Sequence, residues 1–182
     1  VVYEMLTQTS YPSYGWMMNN SFANATTLWE SWFFSDNTFS HDHPMFSSSE
    51  VWLLQSVAGI QPHPAARGMS HVLIKPSPPS QLEACSAAFS TPRGRLAVSW
   101  RRSGGRFELN ITIPPNVIAT VHVPGDCKAR ELGGLDLRVA RRIAGPRWGR
   151  AQEQQRACAG DSLAIEIGSG DFTFVTDLDD EL

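Results

Sequence analysis

Long apolar runs are absent from this sequence of 182 residues. None approaches the roughly 18 apolar residues that a transmembrane helix requires, and the first ten residues lack the basic flank and apolar core of a secretory signal. We therefore expect a soluble chain that does not bind membranes. Sequons at Asn19, Asn24 and Asn110 and the ending Asp-Asp-Glu-Leu are weak hints of secretion or the secretory pathway. The compartment is left open.

Cysteine and positive charge are also scarce. Cys85, Cys127 and Cys158 are far apart and odd in number, which argues against a disulfide framework or a zinc cluster but leaves room for one bridge. The net charge of -3 argues against binding to nucleic acid, and we interpret the basic residues between 130 and 156 as a solvated face. A nucleophile-elbow serine, a phosphate-binding loop and a dinucleotide fingerprint are missing, so no cofactor is expected.

The residues that are present are typical of a globular protein. The sequence is 42% hydrophobic and 18% charged, with six Trp and nine Phe, and lacks the polar bias of disordered chains. Its length suits one full domain, or a small domain joined to part of another.

The first part of the chain, to about Ile60, carries helix signals. Ser47-Ser48-Ser49-Glu50 fits a capping box before an apolar run, and Gly59 suits the helix exit because glycine tolerates positive φ. Thr27-Leu28-Trp29-Glu30 fits the same box, so another helix is predicted to begin there. Helices this apolar need neighbours. Either they pack on the rest of the chain alone, or they belong to a longer protein whose other helices are not in this sequence.

The second part follows a period of two. Leu96, Val98 and Trp100 alternate with other residues, as do the apolar residues from 107 to 113, and Ser103-Gly104-Gly105 lies between them as a hairpin turn. Further strands are predicted at 71–75, 117–123, 137–143, 163–167 and 172–176. The proline-rich stretch 61–68 separates the two parts. We predict an α+β chain with helices in residues 1–66 and an antiparallel β-sandwich in residues 67–182.

The side chains that suit chemistry lie between residues 29 and 43. Glu30 is next to Trp29 and close to Trp32, where a poorly hydrated carboxylate can act as a base, although a capping box alone would also explain it. His41 and His43 can bind a polyhydroxylated ligand or be ordinary loop residues, and no further ligands complete a metal site. The aromatic residues can stack on sugars or lie in the core. Together these groups resemble the equipment for cleaving a glycosidic bond.

Four motifs in order resemble the C-terminal part of bacterial-type α-L-rhamnosidases, glycoside hydrolase family 78. They are YPSYGWM at 11–17, ATTLWESW at 25–32, SHDHPMF at 40–46 and AGI at 58–60. The stretches 72–76, 94–100 and 113–124 resemble the family's terminal β-domain more loosely. The resemblance implies the last helices of an α/α six-fold barrel followed by a β-sandwich.

The resemblance also implies a reaction. Family members hydrolyse terminal α-L-rhamnosyl residues with inversion, which assigns the role of general base to Glu30 and a rhamnose contact to His43. Trp29 and Trp32 match aromatic residues near the pocket, and His41 is a further candidate for substrate binding. The general acid is expected upstream, in an N-terminal part of the same polypeptide that this sequence lacks. The expected partner is a rhamnose-containing glycoside, and the chain alone is expected to be inactive.

Departures from the family pattern leave other functions open. Asp42 stands where Asn is usual and adds negative charge near the base, and Ser47 stands where Gly is common. The connection from Trp32 to Ser40 is shorter than in many relatives, which predicts a more open pocket rim. The alternative to the enzyme is a non-catalytic carbohydrate-binding or structural β-sandwich. In that case the helical segment serves only to dock the sandwich.

Overall fold

The computed structural model describes residues 1–21, 24–33, 38–64, 66–124, 129–134 and 162–178. The chain divides into two compact units, Val1–Leu53 and Leu54–Leu182. This division lies before the boundary of 66/67 expected from the prolines. The reason is that Ile60–Pro62 forms a strand paired antiparallel with His71–Ile74, so residues ahead of the proline-rich stretch already belong to the β-sheet unit.

The first unit contains short helices. Helix α1 spans Val2–Thr7, α2 spans Tyr14–Met18, a 3-10 helix spans Pro44–Ser47, and α3 spans Ser48–Trp52. Helix α2 begins at a capping serine, because the Ser13 hydroxyl accepts a hydrogen bond from the Trp16 backbone N–H at 3.0 Å.

The helix predicted from Ser47 onward is confirmed, but its cap differs. No side-chain hydrogen bond caps α3, and the Ser47 hydroxyl instead donates to the Pro44 carbonyl at 2.6 Å. The 3-10 turn before α3 explains this difference. It already continues the helical path through Ser47, whose φ of -69° and ψ of -10° are helical, whereas a capping residue is normally extended.

The helix predicted to begin at Thr27 is wrong. The backbone from Thr27 to Phe33 is not helical, and Glu30 does not close a capping box. Partners more distant in sequence satisfy these groups: the Glu30 N–H donates to the Ser40 carbonyl at 2.9 Å, and the Thr27 hydroxyl donates to the His41 carbonyl. Local propensity is a weak preference, and such contacts override it.

The second unit begins within a π-helix, Leu53–Val57, and the chain then turns at Gly59. Gly59 has a φ of +83°, so the prediction of a glycine exit is confirmed. The Lys75 N–H donates to the Gly59 carbonyl at 2.8 Å. This bond ties the turn to the end of the neighbouring strand.

Nine strands in the described residues form two sheets. They are β1 Ile60–Pro62, β2 His71–Ile74, β3 Ala84–Thr91, β4 Gly94–Ser103, β5 Arg106–Ile113, β6 Ile118–Pro124, β7 Arg130–Glu131, β8 Ser162–Ile167 and β9 Gly170–Asp177. One sheet has the order β1-β2-β6-β8 and the other β3-β4-β5-β9-β7. All pairs are antiparallel except β2 with β6, which is parallel.

The core of the second unit lies on the inner faces of both sheets. Alternate residues of β4 and β5 are buried, as their period predicted, and β5 and β9 contact β6 of the other sheet. The largest side chain in this core, Trp100, donates its indole N–H to the Val57 carbonyl at 2.7 Å. The α+β fold with a β-sandwich is therefore confirmed, with one parallel strand pair.

Sequence patterns located most of these strands and missed three. The strands near 71–75, 117–123, 163–167 and 172–176 and the hairpin at 103–105 are present, whereas the strand predicted at 137–143 lies outside the described residues. β1, β3 and β7 were not predicted. β1 and β7 are too short for a period, and β3 has alanine on both faces, which blurs the alternation.

No helix in the described part of the chain combines the length and apolar character needed to cross a bilayer.

Candidate active site

The candidate site is built from two facing backbone segments of the first unit. Hydrogen bonds join the two segments, residues 27–30 and 40–43, at both ends: Glu30 bonds to Ser40, and the His43 N–H donates to the Leu28 carbonyl at 2.7 Å. The pairing runs in opposite directions, as in an antiparallel ladder. It therefore places the glutamate and the two histidines on adjacent backbone.

Ser40 fixes the Glu30 side chain. Its backbone N–H donates to Glu30 Oε2 at 2.9 Å, while its carbonyl accepts from the Glu30 N–H, so two bonds join the same two residues. Within the described chain, the other carboxylate oxygen, Oε1, accepts no hydrogen bond. The side chain is half-buried. One oxygen is thus oriented, and the other is available to a water molecule or a ligand.

The loop that carries Ser40 is itself held by a local turn. The Ser40 hydroxyl donates to the Asp42 carbonyl and accepts from the Asp42 N–H, both at 3.1 Å. Asp42 is exposed, whereas His41 and His43 on either side of it are half-buried. The two histidines are therefore partly shielded from solvent, while the aspartate between them is not.

Trp29 and Trp32 have different environments. Trp29 is only 3% exposed, and its ring centroid lies 5.4 Å from that of His41. Trp32 is half-buried and stacks on Phe46 with centroids 4.0 Å apart, while Tyr14 meets its ring edge-on at 5.0 Å. Trp29 therefore forms part of the core beneath the loop. Trp32 keeps some exposed surface that a ligand could contact.

Sequence reasoning missed two residues that organise this region. Tyr14 is buried, and its hydroxyl donates to the Phe46 carbonyl at 2.5 Å, which fixes the aromatic cluster of Tyr14, Trp32 and Phe46. Ser40 was missed because its partner lies ten residues earlier, and no local pattern marks such a contact. Tyr14 lies within the motif YPSYGWM, which marked its position but gave no sign of its hydrogen bond to Phe46.

The described residues contain no group of three or more His, Cys, Asp or Glu side chains arranged to hold a metal ion. The groups that this region does bring together are a positioned carboxylate with imidazole and aromatic neighbours. Such a group can take a proton from water or bind hydroxyl groups.

Comparisons with known proteins match both parts of the chain to one family. Residues 1–57 match the model of the bacterial alpha-L-rhamnosidase 6 hairpin glycosidase domain, and residues 59–136 match the bacterial alpha-L-rhamnosidase C-terminal domain. Together these models cover more than half of the chain. They meet near the start of the β-sheet unit.

Individual relatives are named alpha-L-rhamnosidase as well. An alpha-L-rhamnosidase of Streptomyces avermitilis is 31% identical over 134 residues, which are 69% of this chain and 12% of that protein. One from Formosa agariphila is 30% identical over 138 residues, or 69% of this chain and 14% of that protein. The chain thus spans about one eighth of the length of the curated relatives it matches.

Solved structures show the same similarity. The alpha-L-rhamnosidase of Streptomyces avermitilis complexed with L-rhamnose has a TM-score of 0.71 at 25% identity, covering 96% of this chain and 16% of that one. The enzyme from Dictyoglumus thermophilum has a TM-score of 0.72 at 28% identity, covering 96% and 18%.

The two matched models and the observed fold define a class, the glycosidases with a six-hairpin domain followed by a β domain. Within that class, the chain belongs to the bacterial alpha-L-rhamnosidase family. It corresponds to a C-terminal portion of the family's members.

Proposed function

We propose that this chain supplies the general base of an inverting α-L-rhamnosidase, and that Glu30 is that base. The observation that supports the proposal is the asymmetric environment of the carboxylate. Oε2 is held by the Ser40 N–H, and Oε1 has no protein partner among the described residues. A base that must orient one water molecule needs this combination of a fixed and an available oxygen.

In the proposed reaction, Glu30 takes a proton from a water molecule that attacks the anomeric carbon of the rhamnosyl residue. A second carboxylic acid protonates the leaving oxygen on the opposite side of the sugar, about 6.5–9.5 Å from the base. We assign this acid to chain upstream of Val1. This chain spans only 12% of one relative and 14% of another, so most of such a protein lies outside it.

The sugar contacts follow from the same arrangement. His43 and His41 are half-buried near the base and are proposed to hydrogen-bond rhamnose hydroxyl groups. The exposed part of Trp32 is proposed to pack on an apolar face of the sugar. Trp29 is almost fully buried, so it is not proposed to touch the sugar. Its ring contacts the His41 ring, and Trp29 is proposed to position that imidazole.

The test is Glu30→Gln in the complete polypeptide that contains this chain. Glutamine has the same shape, and its amide oxygen can still accept from the Ser40 N–H, so the loop should be retained. Loss of a general base is expected to lower kcat by about 100- to 10,000-fold. Hydrolysis of an aryl α-L-rhamnoside measures the rate, and NMR of the first anomer formed measures inversion.

Glu50→Gln is the matched control, since Glu50 is an exposed glutamate in the first turn of α3 and is expected to leave kcat unchanged. If the Glu30 and Glu50 variants hydrolysed the substrate equally fast, Glu30 would not be the base. The alternative of a non-catalytic carbohydrate-binding or structural module would then be favoured. Retention of the anomeric configuration by the unmodified enzyme would contradict the inverting mechanism.

A further inference from the structure

A groove of about 580 Å³ crosses the outer face of the five-stranded sheet in the second unit. This face is opposite the core. The size is within the range of roughly 300–1,000 Å³ that is usual for small-molecule sites. The groove lies in the β-sheet unit, whereas Glu30 lies in the first unit.

Strand register arranges the groove's polar side chains in a row. Ser86 of β3 pairs with Ser99 of β4, Ser99 with Asn110 of β5, and Asn110 with Thr173 of β9. Neighbouring strands are about 4.8 Å apart, so this polar row extends about 14 Å across four strands. It is long enough to contact a short chain of hydroxylated units.

A second row runs beside the first, two residues later on β3 and β5 and two residues earlier on β4 and β9, since these strands are antiparallel. It consists of Ala88, Ala97, Thr112 and Asp171. Alanine is unusual on an exposed strand face, where larger side chains are favoured. On β3 and β4 these small side chains leave space above the sheet, and that space is part of the groove.

Hydrogen bonds fix the side chains of β5 and β9 in both rows and leave the two serines of the polar row available. The Thr173 hydroxyl donates to Asn110 Oδ1, and the Thr112 hydroxyl donates to Asp171 Oδ1, both at 2.7 Å. Both threonine oxygens keep lone pairs that can accept from a ligand. Within the described chain, the hydroxyls of Ser86 and Ser99 make no protein hydrogen bond. The groove thus offers fixed acceptors next to hydroxyls that can rotate to donate.

The charges and apolar groups in the groove narrow the class of ligand. The lining contains one basic residue, Arg95, and two acidic residues, Asp171 and Glu131, so it has no strong charge of one sign. Leu132 is its one large, strongly exposed apolar side chain among the described residues. A polyanion would meet two carboxylates, and a protein partner would find little apolar surface to bury. A neutral, hydroxyl-rich ligand matches both features.

We propose that this groove is a binding site for a neutral oligosaccharide segment, separate from the site around Glu30. Hydroxyl groups of the glycan would pair with the polar row, and its apolar sugar faces would lie over the alanine positions. The proposal does not require Glu30 to be the general base.

The test uses the complete polypeptide with Glu30→Gln, in which slower turnover is expected to leave the polysaccharide in the gel intact. Native electrophoresis through gels containing a soluble neutral rhamnan measures binding as retardation, with excess free L-rhamnose present to occupy the active site. Ser99→Tyr places a large ring in the middle of the polar row. It is expected to weaken the apparent affinity by at least about fivefold, the loss expected for a hydrogen bond or more.

Two further variants sharpen the result. Ser86→Tyr blocks the exposed end of the row on β3 and is expected to reduce retardation as well, with little risk to folding. Arg101→Tyr is the matched control, because Arg101 is exposed on the same face of β4 but does not line the groove. It should bind like the parent. Circular dichroism checks that each variant is folded.

The proposal is overturned if folded Ser99→Tyr and Ser86→Tyr variants are retarded as strongly as the Arg101→Tyr control. It is also overturned if these two variants change the protein's sedimentation without changing retardation, since the groove would then be a packing surface. Both results concern the groove alone. Loss of turnover in Glu30→Gln, measured separately, reports on the proposed base.

Discussion

Replacing Gly59 with alanine is expected to destabilise the β-sheet unit strongly. A Cβ atom built on Gly59 would lie 2.2 Å from the Pro76 backbone nitrogen and 2.4 Å from the Lys75 carbonyl carbon. These are backbone atoms, which cannot rotate away as a side chain can. Any relief must therefore shift the chain and strain the hydrogen bond from the Lys75 N–H to the Gly59 carbonyl.

The expected magnitude has two parts. A φ of +83° costs a residue with a Cβ about 1–2 kcal/mol. Forcing an extra methyl group into packed surroundings costs typically about 1–3 kcal/mol more. The Gly59→Ala variant should therefore lose about 2–5 kcal/mol of unfolding free energy. Urea unfolding followed by far-UV circular dichroism measures this loss.

Gly104 provides the control within the same unit. Its φ is +56°, and a Cβ there would meet no atom within 4 Å. Gly104→Ala therefore isolates the backbone cost of about 1–2 kcal/mol without the steric part. If the two alanine variants had the same unfolding free energy, the close approach between Gly59 and Pro76 would not contribute, and the reasoning would be refuted.

Two other predictions concern stability. Trp100→Phe removes the donor to the buried Val57 carbonyl and should cost about 1–3 kcal/mol in urea unfolding; an unchanged midpoint would contradict this. Burial, and then His63 stacked at 4.0 Å, lower the pKa of His71. In the unfolded chain His71 has its ordinary pKa of 6.5, so it takes up a proton at a higher pH than in the folded chain. The unfolding free energy should therefore fall as the pH drops below 6.5. His71→Gln should reduce that slope, and an unaltered slope would refute the assignment.

Regular periods made much of the sandwich predictable. β4 and β5 alternate buried and half-buried residues over their central positions, because one face of each strand meets the core and the other faces outward. The turn at residues 103–105 has two glycines with positive φ. Such a turn requires glycine at particular positions, so the neighbouring sequence is enough to predict it. The helical stretch made of α3 and the π-helix was predictable for a similar reason, because its apolar run is followed by Gly59.

The candidate site was predictable in composition but not in geometry. Glu30, His41 and His43 were identified as candidates, whereas the helix predicted around Glu30 is absent. The capping-box pattern describes bonds within one turn, but Glu30 pairs with Ser40. A pattern of four residues contains no information about a partner ten residues away.

The amino-acid sequence alone determined the alternation of β4 and β5, the glycine turns and the residue types available for chemistry. These depend on steric and solvation preferences that act over a few neighbouring residues. Tertiary structure alone decided that Ser40 orients Glu30, that Trp100 bonds to Val57, and that Ser86, Ser99, Asn110 and Thr173 form one row. Each of these contacts depends on strand register or loop closure, which form only when distant parts of the chain pack together.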